Sequence, residues 1–207
     1  MDTPALTDPR LAALPVEECG EPLIDVCAIQ SLTADDRCGA REGSSTRLRA
    51  TVVDRLVTAQ SLLPRGVRLL VIEGHRSMHR QQEHFAECVA DLAAVHPDWP
   101  IGQVREEAGW HCSPSGTAPH RTGAAVDVSL CDPEGRELDL GGPVYATPLS
   151  TVDSTPSAVA NRRILRTALG DAGLINLPTA WWHWSFGDPY WALATGAPAV
   201  QYGPVDV

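Results

Sequence analysis

Leu48, Val52, Val53, Leu56, Ala59 and Leu63 recur at the three-to-four-residue spacing of one helix face. Ser45 or Thr46 can cap that helix, and Pro64 stops it. The apolar run Val67–Ile72 reads as a buried strand. A second helix is predicted over Met78–Val95, broken by Pro97 and Pro100, with a short helix over Ile101–Ala108. Cys112–Pro119 carries Ser, Pro, Gly and Thr and reads as a loop. Ala124–Leu130 follows as a strand, and the turn Asp132-Pro-Glu-Gly135 leads into Glu137–Leu140 as its hairpin partner. Gly141–Pro156 is a long loop of the kind that lines sites. A third helix spans Ser157–Ala172, stopped by Gly173, and a last strand covers Trp181–Phe186 before an irregular tail. Residues 1–45 read as an irregular lead-in with short extended pieces such as Pro22–Cys27. This mixed order predicts an α+β fold: one domain over residues 1–207, with a small, mostly antiparallel sheet flanked by helices.

Composition narrows the function classes. Hydrophobic residues make up 43% of the 207-residue chain, enough for a core, and 20% are charged. A net charge of -10 argues against nucleic-acid binding, which needs clustered Lys and Arg. No apolar run is long enough to span a bilayer. The N-terminus shows no basic segment followed by an apolar one, which predicts a cytoplasmic protein. Cys19, Cys27, Cys38, Cys88, Cys112 and Cys131 form no Cys-x-x-Cys pair. Free thiols are the simpler expectation, with three disulfides as the alternative.

The chemistry concentrates in three segments: Glu73–Ser77, Pro119–Asp127 and Trp181–Trp184. Within them His120 precedes Asp127 by seven residues, and His183 follows 56 residues later. Two imidazoles and a carboxylate can hold one zinc ion and leave a fourth position for water. Taken singly, each has a plain structural reading, as a hydrogen-bonded core histidine or a turn-forming aspartate. Their combination within these segments favours the metal site. His79, His84, His96 and His111 show no comparable spacing, and Arg162 and Arg163 read as a solvated helix face.

These segments resemble the zinc D-alanyl-D-alanine dipeptidases of the VanX type, with relatives among D,D-carboxypeptidases and hedgehog-like domains. The family's His-x-x-Gly-x-Ala-x-Asp segment stands here as His120-Arg-Thr-Gly123-Ala-Ala125-Val-Asp127. The resemblance runs from about Arg49 to Tyr202, through Asp54–Leu56 and the Trp-Ser-Phe-Gly-Asp run at 184–188. It implies a hedgehog/D,D-peptidase-like fold, one zinc per chain on His120, Asp127 and His183, and a short D-amino-acid-containing peptide such as D-Ala-D-Ala as substrate. It places Arg76, in the Glu-Gly-x-Arg segment, on the arginine that stabilises the tetrahedral transition state.

The family's Glu-x-Trp-His segment appears here as Ala180-Trp181-Trp182-His183, so alanine occupies the general-base position. A methyl group transfers no proton, and losing a positioned base typically costs on the order of 10²–10⁴ in rate. Two readings follow: alanine replaces a native glutamate and traps an inactive peptidase, or it is natural and the zinc pocket serves binding or other chemistry. His75, Tyr145 and Trp182 are candidate substrate-pocket residues, although His75 also fits a solvent-facing loop position. The hydroxyl of the family's Ser-x-His is absent at Ala118-Pro119-His120, and no acidic residue near Tyr145 matches the one that holds the substrate ammonium. Strand alternation sets Trp182 and Trp184 on one face, and Trp181 and His183 on the other.

Overall fold

Ala125–Cys131 is the central strand, and every residue of it is buried. Val126, Val128 and Leu130 point to one face and join the main apolar core, while Asp127 points to the other. The computed structural model describes residues 4–35, 42, 45–145 and 155–206, and their architecture is α+β. In chain order the elements are α1 (Pro9–Ala13), β1 (Leu23–Asp25), β2 (Thr33–Ala34), β3 (Arg47–Arg49), α2 (Ala50–Leu62), β4 (Arg68–Glu73), α3 (Met78–Val95) and α4 (Ile101–Ala108). Then follow β5 (Ala125–Cys131), α5 (Pro156–Asp171), β6 (Ile175–Leu177), β7 (Ala180–Ser185) and α6 (Pro189–Thr195). The larger sheet runs β2-β4-β5-β7-β6, antiparallel except for the β2–β4 pair, and β1 with β3 makes a small second sheet.

Helices α2 and α5 pack on each other and on the sheet, burying Val52, Val53, Leu56, Leu165 and Leu169 against Val126, Val128 and Leu130. That burial on one face leaves the opposite face of β5 for polar residues. Helices α3 and α4 pack together around Leu92, Val104 and Ala108. Among the described residues no helix is long and apolar enough to cross a membrane.

Helices over Met78–Val95 and Ile101–Ala108 match the sequence pattern, and Ser77 caps the first by accepting from the Arg80 amide. Helix α2 begins later than expected, at Ala50, because Arg47–Arg49 pairs with β1. The Asp132 turn forms, with its carboxylate accepting from the Glu134 and Arg136 amides at 3.0 and 2.9 Å. The hairpin beyond it shortens to a single bridge, Cys131 to Glu137, rather than a second strand. The lead-in is more ordered than expected, carrying α1 and β1. So is the tail: Asp188 caps α6, and Gly196, at φ 71°, closes it. Of the predicted 141–156 loop, residues 146–154 lie outside the described residues. Cys19, Cys27, Cys88, Cys112 and Cys131 are free thiols, which removes the three-disulfide alternative; Cys38 lies outside the described residues.

Candidate active site

Strand register assembles the centre of the site. Asp127 of β5 lies opposite His183 of β7 on one side and Glu73 of β4 on the other. An irregularity between Val71 and Glu73 makes the second pairing possible. One extra residue in β4 turns Glu73 onto the face of Asp127, where an unbroken ladder would turn it away.

His120 comes from a different device, the tight 3-10 turn Pro119–Thr122 that leads into β5. Pro119 starts the turn, the Thr122 hydroxyl donates to the Pro119 carbonyl at 2.6 Å, and Gly123 ends it at φ 69°. A side chain at Gly123 would collide with Leu23, a second reason for glycine there. Behind the turn Arg49, 2% exposed, donates to the Thr122 and Gly203 carbonyls and pairs with Glu18, tying both chain ends to it.

The three donor atoms converge. His120 Nε2 lies 3.1 Å from His183 Nδ1 and 3.2 Å from Asp127 Oδ1, and His183 Nδ1 lies 2.9 Å from the same oxygen. In a tetrahedral site with bonds of about 2.0–2.1 Å, neighbouring donors stand roughly 3.3 Å apart. The donor set therefore fits a zinc-sized ion, and it is the one such cluster among the described residues. Outer contacts orient the two imidazoles. His120 Nδ1 lies 2.7 Å from the Gly74 carbonyl, and His183 Nε2 lies 3.4 Å from the Ser185 hydroxyl. Burial would raise the pKa of Asp127, but His120 and His183 outweigh it and hold the carboxyl well below its ordinary range.

Arg76 is buried beside this cluster, with Nη2 3.7 Å from Asp127 Oδ2. Glu73 grips its guanidinium through two bonds, one of 2.8 Å from Nε, and Gln81 accepts from Nη1 at 2.9 Å. Gln81 is anchored in turn, donating to the Ser113 carbonyl at 2.6 Å. The Tyr145 hydroxyl donates to Glu73 at 2.6 Å, and its residue holds a left-handed φ of 66° that a non-glycine residue rarely adopts. Burial disfavours charge on Glu73, yet Arg76 keeps its carboxyl far below the usual range, while burial drives the Tyr145 phenol upward.

These groups open onto a cavity of about 250 Å³ lined by Arg76, His120, Asp127, Tyr145, Ala180 and Trp182, with His183 also facing it. Tyr145 and Trp182 thus stand where a substrate pocket was expected. His75 does not: it is 2% exposed, away from the cavity, with Nε2 3.0 Å from the Val205 carbonyl. Packing of the C-terminal tail over the loop after β4 overturns both the pocket and the solvent-facing expectations for it. Trp181 lies under the Arg162 guanidinium of α5, while Trp182 meets Tyr145 on the cavity side with His183. Strict alternation fails at the β6–β7 irregularity. Of the predicted solvated pair on α5, Arg163 is exposed, while Arg162 is half-buried and donates to the Leu140 carbonyl.

The sequence alone assigns no role to Glu73, Gln81 or Asp188, and His84 lacks metal-ligand spacing. Glu73 was legible as part of the Glu-Gly-x-Arg segment, and Asp188 as the end of the Trp-Ser-Phe-Gly-Asp run. His84, on α3, lines the cavity and meets the Tyr145 ring edge-on at 5.8 Å. Burial, reinforced by Arg76, pushes its pKa down to about 3, so the imidazole is neutral at pH 7. Asp188 is fully buried and accepts from the Trp191 amide at 2.9 Å.

The chain as a whole is similar to known proteins. Residues 36–199 match the Peptidase M15 family model, described as D-Ala-D-Ala dipeptidase. A D-alanyl-D-alanine dipeptidase of Synechocystis sp. is 31% identical over 218 residues, covering 87% of each chain. Among solved structures, a mutant of the vancomycin-resistance D,D-pentapeptidase VanY in complex with Zn(II) is 19% identical. It covers 68% of this chain and 72% of its own, with a TM-score of 0.45. VanYB in complex with D-alanine-D-alanine is also 19% identical, covering 74% of this chain and 80% of its own at a TM-score of 0.45.

Proposed function

The chain belongs to the D-Ala-D-Ala dipeptidase family, and we propose from that premise that it carries a zinc dipeptidase site for D-Ala-D-Ala or a similar short D-amino-acid-containing peptide, with the proton carrier missing at position 180. The observation that carries this reading is the convergence of His120 Nε2, Asp127 Oδ1 and His183 Nδ1 within 3.2 Å of one another at a cavity wall. These three residues would hold one zinc ion per chain. Bound zinc supplies Lewis acidity, polarising a carbonyl and making water a nucleophile near neutral pH.

The chain's own residues do the rest. Asp127 stays ionised and gives the ligand set one negative charge. Arg76 carries a fixed positive charge at the cavity, held by Glu73 and Gln81 rather than by substrate, so it is already oriented when an oxyanion forms. Tyr145 and Trp182 form the apolar wall that excludes water and sets the width of the pocket. A volume of about 250 Å³ lies just under the roughly 300–1,000 Å³ of drug-sized pockets, which suits a dipeptide. Free thiols at the five described cysteines fit a reducing compartment such as the cytoplasm.

Ala180 begins β7 at the cavity and offers no group that could move a proton. The same residue supports the second reading, a zinc-containing binding or biosynthetic protein. The deciding experiment is Ala180→Glu assayed for D-Ala-D-Ala hydrolysis, with a longer cell-wall peptide as the carboxypeptidase control. The expected result is a gain on the order of 10²–10⁴ over the unsubstituted chain, confined to the dipeptide. Continued silence with metal bound would overturn the peptidase reading in favour of the second.

A further inference from the structure

Two thiols in the cavity wall have no part in the chemistry above. Cys88 lies one helical turn after His84 on α3, so the two side chains share a face. Cys112 follows α4, its amide donating to the Ala108 carbonyl at 2.9 Å. Packing of α3 on α4 brings the two cysteines together: Cys88 and Cys112 belong to one buried cluster with Leu92, Val104 and Ala108. Cys112 Sγ also lies 3.5 Å from His84 Nε2. Both cysteines are only 8% exposed, yet both line the cavity that holds Asp127 and Ala180, so a small molecule entering it meets them.

We infer that Cys88 and Cys112 are a reversible dithiol–disulfide pair in the wall of the peptide cavity, oxidised by low-molecular-weight disulfides. The two thiols are not equivalent. A hydrogen bond from Cys112 lowers the pKa of Cys88, while the same bond and burial raise that of Cys112 well above the ordinary thiol range. With Cys112 Sγ engaged by His84 Nε2, Cys88 is the attacking sulfur and Cys112 the resolving one. The Cys88 thiolate attacks one sulfur of the small disulfide, forming a mixed disulfide and expelling a thiolate that takes up the proton Cys88 lost. Cys112 then attacks the Cys88 sulfur, forming the internal bond and expelling the second small thiolate. That second thiolate takes up the Cys112 proton. Two protein thiols are oxidised by two electrons in all, and one small disulfide is reduced to two thiols.

The test is peptide mapping by mass spectrometry, without reduction, of the full chain incubated with oxidised glutathione. The expected product joins the Cys88 and Cys112 peptides with loss of two hydrogens, and dithiothreitol reverses it. In Cys112→Ser, Cys88 is expected to retain glutathione as a stable mixed disulfide. Cys19 and Cys27, both exposed, serve as internal controls for reagent access. Glutathione on those two with Cys88 and Cys112 recovered as free thiols would overturn the inference. The map is made on metal-free protein, so its outcome is independent of the peptidase reading.

Discussion

Replacing Glu73 by glutamine tests the electrostatic frame that holds Arg76. The substitution keeps shape and removes one charge from a pair in which both side chains are under 5% exposed. Breaking a buried ion pair on one side typically costs about 3–5 kcal/mol, because the surviving charge stays buried. Here Arg76 keeps Gln81 at 2.9 Å and Asp127 at 3.7 Å, so part of the loss is offset and about 2–4 kcal/mol is expected. At about 2–4 °C per kcal/mol for a domain of this size, the melting temperature should fall by roughly 4–16 °C. The assay is calorimetry in the presence of a chelator, which keeps metal binding out of the comparison. Pairing Glu73→Gln with Arg76→Met sharpens it: with both charges gone, the double variant should lose less than the sum of the single losses. A fall below roughly 2 °C, or strict additivity, would refute the argument that Glu73 neutralises Arg76.

Other expectations follow from the same contacts. Ser185→Ala removes the hydroxyl 3.4 Å from His183 Nε2 and should weaken zinc binding by roughly 10–100-fold in competition with a chromophoric chelator. Unchanged affinity would mean that the hydroxyl does not orient the ligand. His84 should make the fold acid-sensitive: its folded pKa of about 3 lies below the ordinary 6.5, so the unfolded chain binds the proton first. Its contribution is then complete above pH 6.5 and falls by about 1.4 kcal/mol per unit down to about pH 3. Chemical denaturation from pH 7 to 4 should show this slope in the unsubstituted chain and less of it in His84→Phe. An equal slope in both would refute it.

How much of this was legible in the sequence depended on whether the cause was local. The helices over Met78–Val95 and Ile101–Ala108 could be read because spacing, cap and breaker all lie within the segment. The cluster of His120, Asp127 and His183, with Arg76 beside it, was legible because family motifs carry all four residues. Tertiary contacts decided the rest. Arg47–Arg49 is a strand only because β1 lies beside it, and three-residue β6 exists only against β7. Glu73 reaches the site through a ladder irregularity, and His75 leaves it because the C-terminal tail covers it. No local pattern encodes either event. Trp182 likewise faces the cavity because β7 departs from strict alternation.

The central claim is that His120, Asp127 and His183 hold one zinc ion, and metal content tests it most directly. Chelator-stripped protein, reloaded with zinc and passed through a desalting column, should retain one equivalent per chain by elemental analysis. Asp127→Asn and His183→Ala, checked by circular dichroism for an intact fold, should retain far less. Full zinc retention in both folded variants would contradict the claim.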